Sequence, residues 1–318
     1  MLTIINNETD ALYNLALEEY VLKHLNINED ILLIWQNRDS VVIGKDQNPF
    51  REVNCPYTHS NKIPVYRRLT GGETVFTDLG TINYSFIVRN VKESDNRLNI
   101  FLNPILDILK GLGVISKLED NRDLCLEGLR YSENIQSFHR NKMVHHGVLF
   151  FNTDLNKLDQ VLEVPELNEF EFDKIKIKHR GITNLKEYIQ GDLSINQFKT
   201  ILYNTFIGED YSEKQYKLDY IDKTKIKKIA KEKYSSWEWN YGESPDFIIK
   251  KEFENRMMIT LIVKKGVIDR VSIDSYENVV ALVKGLEGCR FSEVELKESL
   301  KLCSTINVDK FVETLLYK

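Results

Sequence analysis

Apolar residues recur at helical spacing close to the start of the chain. Leu12, Leu15, Leu22 and Leu25 fall mostly on one face of a helix, and Asp10 stands in front of them. Aspartate is a favoured N-cap because its carboxylate accepts hydrogen bonds from the backbone N–H groups of the first turn. This pattern predicts a first helix that begins after Asp10 and packs into the core.

Strand-like alternation dominates the next part of the chain. Residues 83–88 alternate between two faces, and the same pattern predicts strands at residues 31–35, 40–43, 65–68, 73–76 and 144–151. Between them, Asn103 followed by Pro104 is typical of a helix start, so we predict a helix that runs to Leu112 and ends at Gly113. These elements predict an α/β (α+β) fold, a mixed sheet flanked by helices.

The pattern changes near residue 242. Residues 209–233 are strongly charged and carry a short predicted helix with Ile226, Ile229, Ala230 and Tyr234 at helical spacing. Gly, Ser and Pro then cluster at residues 242–245. The following segment is predicted to form strands at 259–263 and 271–273 and helices near 279–286 and 293–302. We therefore predict a large domain over residues 1–242 and a compact accessory domain over residues 243–318. Trp237 and Trp239 lie at this junction, where we expect packing rather than a ligand cage.

Composition excludes several classes of protein. The chain has 318 residues, 42% hydrophobic and 29% charged, which suits a globular protein with one large and one small domain. No apolar run approaches the roughly 20 residues of a membrane span, and the first residues do not resemble a secretory signal peptide. We therefore expect a cytoplasmic protein without a membrane partner. Four scattered cysteines are expected to be free thiols, and a net charge of −5 argues against nucleic acid as a partner.

Residues 67–87, RRLTGGETVFTDLGTINYSFI, contain the strongest candidate for a binding site. Arg67 and Arg68 carry planar guanidinium groups that can grip a phosphate or a carboxylate through two hydrogen bonds. Gly71 and Gly72 lack side chains, so a ligand can approach the main-chain amides of the turn. The same segment also fits a charged strand end followed by a tight hairpin, and its spacing alone leaves both interpretations open.

This segment closely resembles the RRxSGGGAVYHDLGN-NYS signature of the lipoate-protein ligase family, part of the wider biotin/lipoate ligase superfamily. WQNRDSVVIGKDQNPFREVN at residues 35–54 and HHGVLFFNTDLNKL at residues 145–158 resemble two further blocks of the family. HRGITNL at residues 179–185 and SSWEWNYGESPDF at residues 235–247 match as well. Five blocks in the family's order, spread over most of the chain, imply a biotin/lipoate ligase-like (class II synthetase-like) catalytic domain with a smaller α/β accessory domain.

The resemblance implies a two-step reaction that uses ATP and Mg²⁺. Lipoate, or the related octanoate, would react with ATP to give an acyl-adenylate. A lysine of an acceptor protein would then attack the activated carbonyl, which gives an amide and AMP. The implied acceptor is an apo lipoyl domain of a 2-oxoacid dehydrogenase or an H-type protein of glycine cleavage.

Motif positions also imply roles for single residues. Asp123 stands where the family's NDL carboxylate supports magnesium, although a strand-end cap is the alternative, and His146 could equally be an ordinary strand histidine. The residues implied to bind ATP or the adenylate are Arg68, Glu73, Thr74, Val75, Phe76 and Arg130. Those implied to bind lipoate are Arg67, Gly71, Gly72, Arg130, His146 and Gly147.

The chain departs from the family pattern at several of these positions. The family carries its catalytic lysine in a GRKxSGxA loop, whereas residues 128–135 read GLRYSENI, so Arg130 replaces the lysine. Glu133 replaces a glycine of the same loop, and Thr77 and Thr81 replace the histidine and asparagine of the signature. Arginine keeps the positive charge but spreads it over a broader, forked head group.

Glu73 is a further departure, since the family has glycine there. A carboxylate beside phosphates repels them unless it is paired or bound to a metal. We therefore hypothesise that Glu73 pairs with Arg130 or Arg68.

Three functions remain open on the sequence alone. The first is a lipoate-protein ligase with altered site chemistry, which the accessory domain supports because transferase relatives characteristically lack it. The second is a relay transferase that moves lipoyl or octanoyl groups between carrier proteins, for which Cys125 is the candidate nucleophile. The third is a catalytically silent, lipoyl-binding regulatory protein. Dependence on ATP separates the first function from the other two.

Overall fold

A computed structural model of the chain describes residues 1–92, 98–120, 122–164, 169–171, 181–253, 256–275, 279–304 and 306–317. The strands within these residues are β1 (Leu2–Ile5), β2 (Ile31–Trp35), β3 (Ser40–Ile43), β4 (Val65–Arg67), β5 (Val75–Thr77), β6 (Thr81–Arg89), β7 (Lys117–Glu119), β8 (Asp123–Leu126), β9 (Leu129–Arg130), β10 (Ser132–His139), β11 (Lys142–Phe150), β12 (Glu169–Glu171), β13 (Phe247–Glu252), β14 (Met258–Lys264) and β15 (Val267–Asp274). The helices are α1 (Ala11–Lys23), α2 (Pro49–Glu52), α3 (Cys55–Ser60), α4 (Leu98–Gly111), α5 (Leu155–Leu162), α6 (Ile195–Phe206), α7 (Tyr220–Ile229), α8 (Val280–Leu286), α9 (Glu293–Leu300) and α10 (Val308–Tyr317).

The chain divides into two compact units. Unit 1 comprises Met1–Lys45, Tyr66–Leu158 and Lys178–Ser235. Unit 2 comprises Asp46–Val65, Asp159–Ile177 and Ser236–Lys318. The division into a catalytic domain over residues 1–242 and an accessory domain over residues 243–318 concerns function and stays a prediction.

Unit 1 is built around a five-stranded sheet with the order β1-β2-β6-β11-β10. β1 and β2 are parallel and the other neighbours are antiparallel, so the sheet is mixed. On one face, Tyr84 and Phe86 of β6 enter a core that also contains Phe101 of α4. On the other face, Ser85 reaches Glu18 of α1. The predicted mixed sheet flanked by helices is therefore confirmed, and its central strands place side chains on a surface that α1 covers.

Helix α1 begins where the sequence predicts. Asp10 is its N-cap, and its Oδ1 accepts a hydrogen bond from the backbone N–H of Leu12 at 3.0 Å. The helix is buried on most sides because it lies between the sheet and α7, where Tyr20 donates a hydrogen bond to Asp222 at 2.6 Å. This packing holds Glu18 at a fixed position against the sheet.

Asp10→Ala should lower the free energy of unfolding by about 1 kcal/mol, because the first turn of α1 loses an acceptor for its N–H groups. Asp10 is exposed, so the change leaves the core intact. Urea denaturation measures the loss, with Glu29→Ala as a control that removes an exposed carboxylate from the loop before β2. An equal loss in both variants would contradict the capping role.

The second predicted helix differs from the structure at its start. It runs over Leu98–Gly111 and contains Pro104, so the prediction that Asn103 and Pro104 open it was wrong. Buried residues on both sides of the proline pack into the core, and this packing extends the helix towards the N-terminus. Pro104 cannot donate to the carbonyl of Ile100, but Ile100 is 61% exposed, so water can satisfy that carbonyl.

Smaller differences affect the strand ends. The strand predicted at residues 73–76 is β5, Val75–Thr77, so Glu73 and Thr74 lie in the loop before it. The strand predicted at residues 144–151 is β11, Lys142–Phe150. The later start of β5 matters for function because Glu73 then lies outside the strand and its pairing.

Unit 2 contains a sheet with the order β12-β13-β14-β15, in which all neighbours are antiparallel. Its core includes Ile259, Leu261 and Val263, the alternating positions of β14, as the sequence predicts. Residues 46–65 belong to this unit, and the ring of Phe50 lies 4.9 Å from that of Phe291. Unit 2 is thus assembled from separate stretches of the chain.

Trp237 packs within unit 2. Its ring stacks on that of Tyr241 at 6.3 Å, and the guanidinium of Arg290 lies 5.2 Å from its centre. Gly266 has a φ of +71°, and a Cβ there would lie 2.4 Å from the indole. The turn therefore requires glycine on conformational and steric grounds.

Two predictions about chain type can be compared with the structure. Across the described part of the chain, no helix combines the length and the apolar character needed to cross a membrane. All four cysteines lie in that part, and none forms a disulfide, as predicted.

Candidate active site

The site begins with two arginines at the end of β4, and they point to different partners. Arg67 is fully buried, and its Nη1 donates to the carbonyls of Gly44 at 3.2 Å and Lys45 at 2.7 Å. These hydrogen bonds tie β4 to the end of β3. Arg67 does not line the cavity described below, so the structure does not bring it to the place where a lipoate ligand is expected.

Arg68 shapes the loop that follows. Its Nε donates to the Gly71 carbonyl at 3.0 Å, and its Nη2 donates to the Glu73 carbonyl at 2.8 Å. Gly72 has a φ of +87°, and a Cβ there would lie 2.7 Å from Arg68 Nη2. Glycine is therefore required both for the left-handed turn and for the close approach of the guanidinium. Burial lowers the pKa of Arg68, but nearby carboxylates oppose this effect, and an arginine stays charged in proteins.

Arg130 is the centre of a buried ion-pair network. Its side chain is 5% exposed, and Nη1 lies 2.9 Å from Glu73 Oε2 while Nη2 lies 3.0 Å from Glu133 Oε1. Asp123 Oδ2 lies 3.6 Å from the same Nη1, and Arg122 Nη2 contacts Glu73 Oε1 at 3.2 Å. The hypothesis that Glu73 pairs with Arg130 is confirmed, while Arg68 contacts only the backbone of Glu73 among the hydrogen bonds described.

The backbone of Arg130 is fixed as firmly as its side chain. Its N–H donates to the carbonyl of Gly181 at 2.9 Å, and its carbonyl accepts from the N–H of Thr183 at 2.9 Å. The conformation of β9 therefore depends on part of the HRGITNL block, of which residues 179 and 180 lie outside the described residues. Arg130 Nε is buried and has no hydrogen-bond partner among the described residues.

Charge balance in this network shifts the pKa values of its members. Burial alone would lower the pKa of Arg130, but the carboxylates of Glu133 and Glu73 raise it above its ordinary value. Burial raises the pKa of Glu133 to about 7 and also raises that of Asp123. Three carboxylates in a partly dry site thus compete for the guanidinium groups, and burial favours the protonated form of Glu133.

Glu133 should therefore make stability depend on pH. In the unfolded chain a glutamate ionises near pH ~4.3, so between that pH and about 7 the folded state binds more protons, and stability falls as pH rises through this window. Glu133→Gln removes the effect. From pH 5 to pH 8, urea denaturation should show the variant gaining roughly 1–3 kcal/mol relative to wild type. A difference that is constant with pH would contradict the assignment.

These side chains surround a cavity in unit 1. It measures about 20 Å³, room for about one water molecule. An acyl-adenylate is much larger, so its entry requires the lining side chains to separate. The lining residues are Arg68, Gly72, Glu73, Val75, Arg122, Asp123, Arg130, Glu133, Asn134, Ile135, His146 and Val148.

His146 is held in the cavity wall by a buried carboxylate. Its Nδ1 lies 2.7 Å from Glu18 Oε1, and Ser85 donates to the same oxygen. Burial alone would raise the pKa of Glu18, but the electrostatic attraction of His146 and the hydrogen bonds from His146 and Ser85 keep it below its ordinary value. The ring of Trp35 lies 5.7 Å from that of His146. His145 faces the opposite side, where it stacks on Phe101, and burial lowers its pKa to about 3.

Gly147 supports the site without lining it. A Cβ at this position would lie 2.3 Å from Tyr84 Cζ and 2.5 Å from Asn134 Oδ1. Tyr84 donates a hydrogen bond to Asn134, and Asn134 in turn donates to the Arg122 carbonyl at 2.8 Å. Glycine therefore allows β11 to approach a pair of side chains that fixes the loop of Arg122.

The structure brings together only part of the predicted site. Arg68, Gly72, Glu73, Val75, Asp123, Arg130 and His146 line the cavity, whereas Arg67, Gly71, Thr74, Phe76 and Gly147 do not. Sequence reasoning missed Arg122, Glu133, Asn134, Ile135 and Val148 as lining residues. Two signals could have found some of them: Arg122 is adjacent to Asp123, and residues 133 and 135 share one face of β10.

Asp123 is the residue that the sequence implies as a metal ligand. Among the described residues, no group of three or more acidic, histidine or cysteine side chains could enclose a metal ion. Mg²⁺ is, however, commonly held by one or two carboxylates together with substrate phosphates. Asp123 thus fits a metal that arrives with a nucleotide, provided that its contacts with Arg122 and Arg130 open.

Comparison with known proteins agrees with this fold. Residues 10–207 match the family model described as the lipoyl protein ligase A/B catalytic domain. Lipoate–protein ligase 1 of Staphylococcus aureus is 35% identical over 302 residues, which cover 93% of this chain and 92% of the relative.

Two solved structures share the fold. The bipartite lipoate protein ligase of Thermoplasma acidophilum, analysed with its E2 lipoyl domain, has a TM-score of 0.63 and 22% identity over 76% of this chain and 96% of that chain. A lipoate-protein ligase A bound with ATP has a TM-score of 0.62 and 22% identity over 76% and 98% of the two chains.

The class of protein is an enzyme that joins an acyl group to a protein. It follows from the matched catalytic-domain model, together with the mixed sheet and the arginine-containing loop after β4. More closely, the chain belongs to the lipoate-protein ligase family, and it is a ligase of that class. The resemblance inferred from the five sequence blocks is confirmed.

Proposed function

We propose that this chain joins lipoate to a lysine of an acceptor protein in an ATP-dependent reaction that proceeds through lipoyl-AMP. The observation that carries the proposal is that two buried guanidinium groups line one cavity, that of Arg68 directly after β4 and that of Arg130 in β9. The ATP in the lipoate-protein ligase A structure and the E2 lipoyl domain of the Thermoplasma acidophilum system support the choice of nucleotide and acceptor class.

The first step forms the acyl-adenylate. A carboxylate oxygen of lipoate attacks the α-phosphorus of ATP, the bond to the β-phosphate breaks, and pyrophosphate leaves. Arg68 and Arg130 supply fixed positive charge to the phosphate oxygens, and such preorganised charge acts most strongly in a site that excludes water. The phosphates must displace the carboxylates of Glu73 and Glu133, and protonation of Glu133 lowers the cost of this exchange.

The second step transfers the acyl group. The amine of the acceptor lysine attacks the carbonyl carbon, the carbon–oxygen bond to AMP breaks, and the amine loses a proton as the amide forms. Arg130 stays protonated, so it acts through charge on the carbonyl or phosphate oxygens and not as a base or nucleophile. Val75, Ile135 and Val148 supply apolar surface for the acyl chain.

Magnesium would be held by Asp123 together with the phosphates, and it would neutralise their charge. Asp123 is 5% exposed at the start of β8, beside both arginines of the network. The use of ATP also fits the predicted cytoplasmic location.

The relay transferase is the weaker alternative. Its candidate nucleophile, Cys125, is 0% exposed within β8. A thiol that attacks an acyl carrier must reach the substrate, and a buried structural cysteine is inert. The structure therefore offers no support for a relay through Cys125.

The test is the intact mass of an apo lipoyl domain and of an apo H-type protein after incubation with this chain, lipoate, ATP and Mg²⁺. A mass gain of one lipoyl group that requires ATP is the expected result, and the modified protein identifies the acceptor. Cys125→Ser is the matched control and should retain the activity. If the gain occurs without ATP from a lipoylated donor, the chain is a relay enzyme; if neither acceptor is modified, the proposal is wrong.

A further inference from the structure

Unit 2 contains a cavity that the proposed reaction does not use. It has a volume of about 400 Å³ and is formed by the segment around α3, the residues near Trp237 and the adjoining ends of α9 and α10. Cavities of roughly 300–1,000 Å³ are typical of small-molecule sites. The volume therefore admits a ligand larger than a few water molecules.

The inner part of this cavity is apolar. Phe291 and Leu316 are almost fully buried at its floor, while Phe50, Trp237 and Tyr241 are half-buried along its sides. Such walls bind flat aromatic or aliphatic groups through burial of apolar surface. A highly charged ligand such as a nucleoside triphosphate would lose its hydration there without compensation.

Lys62 supplies a cation at the rim. It is exposed and lines the cavity, and its ammonium forms no ion pair or hydrogen bond with any residue that the structure describes. Its φ is +54°, a left-handed conformation after α3 that glycine or asparagine usually adopts. The backbone N–H of Lys62 donates to the His59 carbonyl at 3.2 Å, which fixes the backbone from which the side chain extends. The fold thus holds an unneutralised cation at the mouth of an apolar cavity.

The carboxylate at the rim, that of Glu293, already has hydrogen-bond and ion-pair partners. Glu293 accepts a hydrogen bond from Tyr317 at 3.0 Å, and its other oxygen lies 2.8 Å from Lys297 Nζ. His59 Nδ1 lies 3.6 Å from the first oxygen. Lys297 is shared, since Asp309 Oδ1 lies 3.0 Å from the same ammonium. Glu293 thus already has partners, whereas Lys62 is a charged lining residue without such a contact among the described residues, and it can take an anion.

The cavity is suited to reversible binding and not to covalent chemistry. Cys55 lines it, but burial raises the pKa of this thiol to about 12, so it is not a nucleophile near neutral pH.

We propose that this cavity is a second ligand site, which binds a small monocarboxylate with its aromatic or aliphatic body against Phe291 and Leu316 and its carboxylate at Lys62. The site is separate in residues and in chemistry from the ligase site of unit 1. Its ligand need not take part in ligation.

Trp237 allows the proposal to be tested directly. The chain has three tryptophans, so a variant with Trp35→Phe and Trp239→Phe leaves Trp237 as the sole indole reporter. Titration with 4-phenylbutyrate should change Trp237 emission in a saturable way. Lys62→Met should weaken the affinity about 2- to 5-fold, the usual size of one exposed charge contact. The neutral 4-phenylbutanamide should bind less tightly than the acid, and its affinity should not respond to Lys62→Met.

Lys284→Met is the matched control, since Lys284 is an exposed lysine of unit 2 that does not line the cavity. Calorimetric titration of the wild type and of Lys62→Met gives the same comparison if the tryptophan variant does not fold. The absence of saturable binding, or equal affinities of the wild type and Lys62→Met, overturns the proposal. Because ligation is measured separately, failure here leaves the proposed ligase function untouched.

Discussion

Arg130→Met is expected to abolish lipoyl transfer and to destabilise unit 1 at the same time. Methionine keeps much of the side-chain volume but removes the charge, which leaves the carboxylates of Glu73, Glu133 and Asp123 facing one another in a nearly dry site. Breaking a buried ion pair from one side typically costs about 3–5 kcal/mol. Loss of a preorganised cation typically lowers kcat by about 100- to 1,000-fold. The rate of lipoyl transfer and the free energy of unfolding by urea measure the two effects.

Two further variants separate charge from shape in this prediction. Arg130→Lys keeps the charge and should retain more activity than Arg130→Met, since both proposed steps use the residue as a cation. Glu73→Gln combined with Arg130→Met should recover part of the lost stability, because one of the three mutually repelling carboxylates is removed. If Arg130→Met transfers lipoyl groups at the wild-type rate, Arg130 has no role in the chemistry.

Gly147→Ala is expected to have the second largest effect. The new methyl group would lie 2.3 Å from Tyr84 Cζ and 2.5 Å from Asn134 Oδ1, which belong to the two strands that flank β11. Overpacking of a core typically costs about 1–3 kcal/mol and occasionally more. We expect a loss of about 3 kcal/mol and a fall in transfer rate, because displacement of Asn134 releases the Arg122 carbonyl.

Gly111→Ala is the control for this substitution. Gly111 lies at the end of α4, and a Cβ there would meet no atom within 4 Å. The variant should be as stable as the wild type, with unchanged transfer. Comparable losses in both variants would show that the effect comes from replacing glycine as such and not from the contact with Tyr84.

The sequence could predict much of the fold because several elements are determined locally. Asp10 caps α1 through a hydrogen bond with Leu12, two residues away. The alternation in β6 and β14 shows which face of each strand is buried. The start of α4 could not be read in this way, since Asn103 and Pro104 give a local signal for a helix start that distant packing overrides. Helix α10 was not predicted from the sequence. Its buried residues nevertheless follow helical spacing: Phe311, Val312, Leu315 and Leu316.

The sequence predicted residues of the site only where a family motif indicates that residues distant in sequence act together. Glu73 and Arg130 are separated by 57 residues, and their pairing could be hypothesised because both depart from one family pattern. Arg67 and Arg68 are neighbours with similar chemistry, yet one holds backbone carbonyls beneath the loop while the other lines the cavity. No sequence pattern separates those two roles, because they depend on which way each side chain leaves β4.

The assembly of unit 2 from distant stretches has a consequence for synthesis of the chain. Phe50 leaves the ribosome long before its ring partners Phe247 and Phe291 are made. At about 5–20 residues per second the interval is roughly 10 to 50 s. Throughout that time the ring of Phe50 lacks both of these native partners. A product that terminates before residue 247 would leave this ring without its native packing.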